Sequence, residues 1–171
     1  MKSLKSSLLL HLDPAYNLAR WLTRNDGDAK EVVQEAFLRA LNYGDTFSGE
    51  DLRPWFLKIV RNTSFTFIKR QRSPQNFLSY DEEEHLVSIP DNNPETHLLR
   101  NEDITRVKVA LETLAVEYRE VLILRELENL SYKEIAEIVG VPVGTVMSRL
   151  SRGRTQLAEV LKNKSGSGDS R

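Results

Sequence analysis

The chain has no cysteine among its 171 residues, only three histidines and no long apolar run. Without cysteine, a disulfide-stapled secreted scaffold and a thiolate zinc or iron–sulfur site are excluded. His11, His85 and His97 lie far apart without metal-binding spacing, so we expect no metal and no cofactor. No apolar stretch approaches the roughly 20 residues that span a bilayer, and the leucine-rich start has no cleavage site. We therefore expect a soluble, cytoplasmic protein with no membrane partner and no small-molecule substrate.

The net charge is close to zero, because 24 Lys+Arg balance 25 Asp+Glu, but the charges are placed in blocks. Residues 1–72 carry 12 basic and 8 acidic side chains (+4), residues 73–103 carry 1 and 8 (−7), and residues 104–171 carry 11 and 9 (+2). The central block contains prolines and an Asp-Glu-Glu-Glu run at 81–84, and such a segment cannot bury enough apolar surface to fold alone. We interpret it as an acidic flexible linker between two small modules.

The first module shows a helical pattern of apolar residues with recognisable ends. The turn residues 25–27 predict the end of one helix, and Asp28 with Glu31 predicts a capping box for the next. Residues 44–50 are rich in turn formers and predict a loop with one exposed aromatic. Asp51 is then expected to cap a long helix that follows it.

The helix after Asp51 carries six cations and no acid between residues 52 and 72. A solvated face kept for solubility is one interpretation. The other is a nucleic-acid surface, because aromatic residues interleave with the cations, as in single-stranded sites where charges follow the backbone and rings stack on bases. Some aromatics must be core, and we expect Phe65 and Phe67 to divide between core and surface.

The second module contains the more specific pattern. Ser131 and Glu134 predict a capping box, Gly140 a left-handed turn, and Pro142 the start of another helix. A short helix, a turn containing glycine and a second helix form a helix-turn-helix, with a plain α-hairpin as the alternative. The outward face of the second helix presents groups that bond phosphates and guanine edges. These residues are Thr145, Ser148, Arg149, Arg152 and Arg154.

Three segments, in this order, resemble a bacterial RNA polymerase sigma factor of the extracytoplasmic-function (ECF) type, group IV of the sigma-70 family. Residues 28–38 are similar to the family's polymerase-binding segment, and residues 53–62 to its promoter-melting helix. Residues 131–154 are similar to its helix-turn-helix. The resemblance covers nearly the whole chain outside the linker and implies an all-α fold of two helical domains.

The resemblance also implies partners and site residues. One helix of the first module would dock on the clamp of the largest subunit of core RNA polymerase, through Asp28, Glu31, Gln34, Glu35, Phe37 and Leu38. The basic helix would bind and melt the upstream promoter element, through Trp55, Lys58, Arg61, Asn62, Lys69 and Arg70. The helix-turn-helix would read the farther promoter element as duplex. An anti-sigma factor is the expected regulator, and the linker would thread the polymerase cleft.

The chain departs from the common family pattern at four positions. Lys30 replaces an acid beside the polymerase-binding residues, and Thr66 stands where an aspartate is common. In the recognition helix, Met147 replaces a common arginine and Ser151 an occasional aromatic. Because such side chains often touch bases, the farther promoter sequence does not follow from analogy.

These observations predict a sigma factor that binds core polymerase and directs promoter-specific initiation, and that is not an enzyme. The predicted domains are a region 2-like domain at 1–72, the linker at 73–103, a region 4-like domain at 104–164 and a disordered tail at 165–171. A stand-alone helix-turn-helix regulator that binds DNA without polymerase is the first alternative. An RNA-binding protein that uses the helix 53–72 is the second.

Overall fold

The computed structural model describes residues 3–72 and 98–166, and every regular element in these two ranges is helical. The helices are α1 (Leu4–Leu9), α2 (Leu12–Thr23), α3 (Asp26–Asn42), α4 (Leu52–Gln71), α5 (Leu98–Thr113), α6 (Val116–Leu122), α7 (Tyr132–Val139) and α8 (Val143–Gly166). A 3-10 turn (Gly44–Thr46) follows α3, and a π-helical turn (Ile123–Leu127) follows α6. The predicted all-α class is confirmed. The acidic run 81–84 lies outside the described residues.

The first module, α1 to α4, is a bundle of three long helices with a short helix laid across it. Helices α2, α3 and α4 pack against one another, and α1 rests on α3 and α4. Helix α1 is absent from the sequence prediction. Its Leu8 is fully buried, and its Leu4 packs directly over Gly44, where a side chain would force Leu4 to move. Helix α1 therefore contributes Leu8 to the core of the module, while Leu9 and Leu10 remain exposed.

The junction between α2 and α3 corrects a predicted helix cap. Arg24 adopts a left-handed conformation (φ 62°) that ends α2, so Arg24 and Asn25 separate the two helices. The side chain of Asn25 accepts a hydrogen bond from the Asp28 backbone amide at 2.8 Å, and α3 begins at Asp26. The predicted capping box of Asp28 and Glu31 is therefore wrong, because the earlier amide side chain already satisfies the first turn.

The start of α4 confirms one local prediction and corrects another. The Asp51 carboxylate accepts a hydrogen bond from the Arg53 backbone amide at 3.0 Å, as expected of a cap. Phe47, the aromatic of the preceding loop, is only half-exposed, because its ring lies 5.3 Å from that of Trp55. The predicted division of Phe65 and Phe67 is confirmed, since Phe67 is buried and Phe65 half-exposed.

The second module, α5 to α8, contains the predicted helix-turn-helix. The capping box of Ser131 and Glu134 is present in full, and Gly140 ends α7 with a left-handed φ of 76°. Helix α8 crosses α6 closely at Gly153, where a Cβ atom would lie 3.1 Å from Leu122. A larger residue there would require Leu122 or Tyr118 to shift.

The outer limits of the second module differ from the predicted boundaries. Helix α5 begins at Leu98, before residue 104, and α8 continues to Gly166, past the predicted start of the tail at 165. The end of α5 is held by Arg119, whose Nη1 donates to the carbonyls of Glu112 and Leu114 at 3.2 Å. Burial lowers the pKa of Arg119 to about 10.

The two modules contact each other directly. Helix α4 packs against α7, and α2 against α6. The buried residues of both modules form one connected apolar cluster, so the packing continues across the boundary. Within the described residues, 3–72 and 98–166, no helix is long and apolar enough to cross a bilayer.

Candidate nucleic-acid interface

Helix α8, the predicted recognition helix, presents most of its predicted DNA-binding side chains to solvent. Ser148, Arg152 and Arg154 are exposed, and Thr145 and Arg149 are half-buried. The Ser148 hydroxyl donates to the Gly144 carbonyl at 2.9 Å and keeps its acceptor capacity. The face is therefore accessible, with its hydroxyl and guanidinium groups on one helix.

One of these arginines is already held in place by an acid. Arg154 Nη2 donates to the Glu126 carboxylate at 2.9 Å, and this hydrogen bond raises the pKa of Arg154. Both side chains remain about half-exposed, so the pair is of the kind that contributes little to stability. The two departures from the family pattern in this helix, Met147 and Ser151, are also exposed.

The basic helix α4 places four of its six assigned residues at the surface. Lys58, Asn62, Lys69 and Arg70 are exposed. Trp55 is half-buried against Phe47. Thr66, where the family pattern has an aspartate, is exposed, and its hydroxyl donates to the Asn62 carbonyl at 3.0 Å. This surface offers cations, an amide and an aromatic pair along a single helix.

The sixth assigned residue of α4 is not free, and this corrects the expectation of unopposed cations. Arg61 donates to Glu120 and Arg53 to Glu128, both of which belong to the second module. Sequence reasoning missed both acids as site residues. The sequence does indicate that Glu120 is buried, because it shares a helix face with the apolar residues Val116, Ile123 and Leu124.

The predicted polymerase-binding helix α3 has an exposed face with both polar and apolar character. Glu31, Gln34 and Leu38 are exposed, and the side chain of Leu38 is 62% accessible. Phe37 is half-buried and packs against the core, and Glu35 is paired with Arg39 on the same helix. Asp28, also half-buried, lies in the first turn of α3. The face therefore combines an exposed leucine with polar side chains on one helix.

A small polar cluster fixes the N-terminus of α3 to α2. Tyr16 and Arg20 of α2 both donate to Asp26, at 2.9 and 2.7 Å. Partial burial alone would raise the pKa of Asp26, but these two hydrogen bonds outweigh it and the pKa lies below its usual value. Burial and the contact with Asp26 raise the pKa of Tyr16. The folded module therefore stabilises the ionised form of the Asp26 carboxylate.

Asp26→Asn is expected to lower stability near neutral pH, with a difference from the wild type that vanishes in acid. Because the folded pKa is depressed, the stabilisation is present above the unfolded value and is lost as pH falls through the folded one. Urea unfolding from pH 7 to pH 3 measures it. Tyr16→Phe removes one donor and should give a smaller effect of the same kind. A difference between Asp26→Asn and wild type that does not change with pH would contradict the argument.

No group of three or more His, Asp or Glu side chains within residues 3–72 and 98–166 is arranged to hold a metal ion. The chemistry that the described surfaces offer is cationic hydrogen bonding, aromatic stacking and apolar contact. These are the means by which proteins bind nucleic acids and other proteins.

Comparison with known proteins identifies the family of each module and of the chain as a whole. The family model of Sigma-70 region 2 matches residues 9–73, and that of Sigma-70, region 4 matches residues 104–157. The ECF RNA polymerase sigma-E factor of Haemophilus influenzae is 36% identical over 156 residues, which cover 86% of this chain and 78% of that protein. The chain belongs to the ECF sigma factor family. This confirms the class of protein that was predicted from the sequence motifs.

Other relatives of the sigma factor agree. The ECF RNA polymerase sigma-E factor of Escherichia coli (strain K12) is 37% identical over 145 residues, covering 81% of this chain and 74% of that one. The ECF RNA polymerase sigma factor SigE of Mycolicibacterium smegmatis is 32% identical over 151 residues. These cover 88% of this sigma factor but only 58% of that longer protein.

Solved structures support the same assignment. The sigma factor RpoE of Bartonella quintana, determined in complex with the anti-sigma factor NepR, gives a TM-score of 0.76 at 31% identity. The match covers 95% of this sigma factor and 98% of that chain. CnrH, determined with the cytosolic domain of CnrY, gives a TM-score of 0.66 at 23% identity over 97% of this chain and 89% of that one. The second likeness concerns the fold alone.

Proposed function

We propose that this sigma factor binds core RNA polymerase, directs it to a set of promoters and is not itself an enzyme. The observation that carries the proposal is that α4 and α8 both present exposed cations, in modules that match regions 2 and 4 of one sigma family. Helix α4 would bind the upstream element as its strands separate, and α8 would enter the major groove of the farther one. Because both partners are cytoplasmic in bacteria, the protein would act in the cytoplasm.

Transcription initiation with purified core polymerase and genomic fragments tests the proposal. We expect specific transcripts only when the sigma factor is added. The result that would overturn the proposal is a failure to stimulate specific initiation from any fragment, under conditions where another sigma factor succeeds with the same core enzyme.

The first alternative, a stand-alone helix-turn-helix regulator, differs in its need for polymerase. Arg61 and Arg53, two cations of the basic helix, are held by the second module in the isolated chain. We therefore expect the chain alone to bind the upstream element weakly. A gel shift without polymerase separates the two functions, since tight, sequence-specific duplex binding would favour the alternative. RNA affinity without polymerase would favour the second alternative, an RNA-binding protein.

The clamp of the largest polymerase subunit would dock on the exposed face of α3. Gln34 and Leu38 are four residues apart and therefore lie side by side on the helix. Glu35 is engaged with Arg39, and Phe37 is partly in the core. We therefore assign the larger share of binding energy to Gln34 and Leu38, with Glu31 beside them.

The double variant Gln34→Ala/Leu38→Ala is expected to weaken binding to core polymerase by about tenfold or more, because a well-packed interface side chain contributes about 1–2 kcal/mol or more. Stability should change by less than about 0.5 kcal/mol, since both side chains are exposed. Fluorescence anisotropy with labelled sigma factor measures the affinity. Thr66→Ala, exposed on α4, is the matched control. Normal binding by the double variant would remove the assignment.

An anti-sigma factor is the proposed regulator. The support is the RpoE structure, which was determined with the anti-sigma factor NepR and resembles this chain over 95% of its length. Such a partner would cover the faces that polymerase needs. Co-purification of the chain with a protein that blocks initiation, and whose release restores it, is the expected result.

A further inference from the structure

A buried ion pair joins the basic helix α4 to the second module. The Nε and Nη2 atoms of Arg61 donate to the two carboxylate oxygens of Glu120, at 2.9 and 3.1 Å. The Glu120 side chain is only 1% exposed and that of Arg61 21%. The Phe65 ring lies 4.3 Å from the Arg61 guanidinium carbon and covers its other side. The two-pronged geometry is the strong form of an arginine–carboxylate contact.

A second pair lies nearer to the start of α4. Arg53 Nη2 donates to the Glu128 backbone carbonyl, and it lies 3.3 Å from the carboxylate of the same residue. The Glu128 side chain is 10% exposed. At the edge of the same boundary, Arg24, which follows α2, lies 4.0 Å from Glu112. In all three pairs the cation belongs to the first module and the acid to the second.

The pairing uses groups that the proposed function needs elsewhere. Arg61 is assigned to the promoter-melting surface, and a guanidinium that holds a carboxylate through two hydrogen bonds cannot hold a phosphate in the same way. Arg149 of the recognition helix also acts on Glu120, because its positive charge favours the ionised carboxylate. Arginines from both DNA-binding helices therefore act on one buried acid.

We propose that Glu120 and Glu128 form a latch that holds the two modules closed and withdraws Arg61 and Arg53 from DNA until the modules separate. This inference rests on the proposed function for the role of the two arginines. The closure itself rests only on the contacts between the modules.

Features of the closed form make the free-energy cost of opening the latch small. Within the described part of the chain, Arg53 Nε is buried without a hydrogen-bond partner, which costs free energy in the closed form only. Burial raises the pKa of Glu120 although Arg61 acts in the opposite direction, so keeping the Glu120 carboxylate ionised costs free energy in the closed form. A buried ion pair of this kind roughly balances its attraction against the loss of water. A partner that binds either module can therefore shift the equilibrium.

Energy transfer between two dyes tests the closure. The chain has no cysteine, so Lys30→Cys on α3 and Lys133→Cys on α7, both exposed, provide the only labelled thiols. In this background, Glu120→Gln/Glu128→Gln keeps side-chain shape and removes both charges. We expect the ratio of closed to open molecules to fall by about tenfold or more, which lowers the transfer efficiency. Glu137→Gln removes one negative charge from an exposed position on α7 outside the two ion pairs and should leave the efficiency unchanged.

Equal efficiency in the double variant and the control would overturn the latch. If circular dichroism shows that the double variant is unfolded, Glu128→Gln alone serves, since Glu128 also contacts Arg53 through its backbone carbonyl. A smaller fall in efficiency is then expected. Unchanged efficiency in this folded single variant would equally overturn the proposal.

DNA binding distinguishes the latch from the proposed function. The apparent affinity for DNA is the affinity of the open form multiplied by the fraction of molecules that are open. Without polymerase, the double variant should therefore bind single-stranded promoter DNA about tenfold more tightly than the wild type. Saturating DNA should also lower transfer in the wild-type chain. Transfer that stays high at saturation would contradict the latch. If opening occurs in the variant but neither chain binds DNA or supports initiation, the closure by the two ion pairs stands, whereas the withdrawal of the arginines from DNA fails together with the proposed function.

Discussion

Replacing Phe56 with alanine is expected to lower the free energy of unfolding of the first module by about 3–5 kcal/mol. Phe56 is fully buried on α4, in the cluster where that helix packs against α2 and α3. The truncation removes apolar contact and leaves a cavity that the neighbouring helices fill only in part. Because the net stability of a folded domain is only about 5–15 kcal/mol, this loss removes a large share of it. Urea unfolding followed by circular dichroism measures the loss.

Two further variants separate the role of Phe56 from a general effect of losing an aromatic ring. Tyr43→Ala removes a ring that is 59% exposed, so the expected change is within about 0.5 kcal/mol. Phe56→Leu keeps most of the volume and should recover much of the stability. A loss below about 1 kcal/mol in Phe56→Ala would mean that α4 does not depend on this contact with the bundle.

The features that were predicted correctly from the sequence are those that depend on hydrogen bonds between residues a few positions apart. The capping box of Ser131 and Glu134, the left-handed Gly140 and the cap at Asp51 all satisfy backbone groups within a few residues. Residue type strongly favours or disfavours such bonds. The helix-turn-helix, and with it the exposed face of α8, could therefore be predicted from local pattern.

The local signal failed where two caps competed. Asn25 and Asp28 are both good N-cap residues, and the latter also has an acid three positions on. The left-handed Arg24 settled the choice, because it turns the chain one residue before Asn25. Helix spacing gives no warning of this, since a left-handed arginine is an uncommon conformation without a sequence signature.

The contacts between the modules could not be predicted because they join distant parts of the chain. Arg61 and Glu120 are 59 residues apart, and Arg53 and Glu128 are 75. Periodicity assigns a residue to a face but does not identify the element that covers it. A run of cations without nearby acids therefore looked unopposed along the sequence, although the second module supplies the carboxylates in space. The same limit applies to Phe47, whose partner Trp55 lies across a turn.

Arg152→Ala is expected to change promoter preference in the farther element by about 1–3 kcal/mol, equivalent to about 5- to 150-fold, if the guanidinium makes a two-pronged contact to guanine. Arg152 is exposed on α8 one turn after Ser148, while Arg154 is engaged with Glu126 and Arg149 is half-buried near Glu120. Arg152 is thus the arginine best placed to reach a base without first breaking a contact. Competition between promoter variants in initiation assays with core polymerase measures the preference.

The matched control for this prediction is Lys162→Ala, which removes one exposed positive charge from the far end of the same helix. A phosphate contact contributes equally to all sequences, so this variant should weaken binding uniformly and reduce its salt dependence. Arg152→Ala should instead weaken the preferred promoter most and relax discrimination at one position. If Arg152→Ala lowered initiation from every promoter variant by the same factor, the arginine would be a backbone contact and the base-reading role would belong elsewhere on α8.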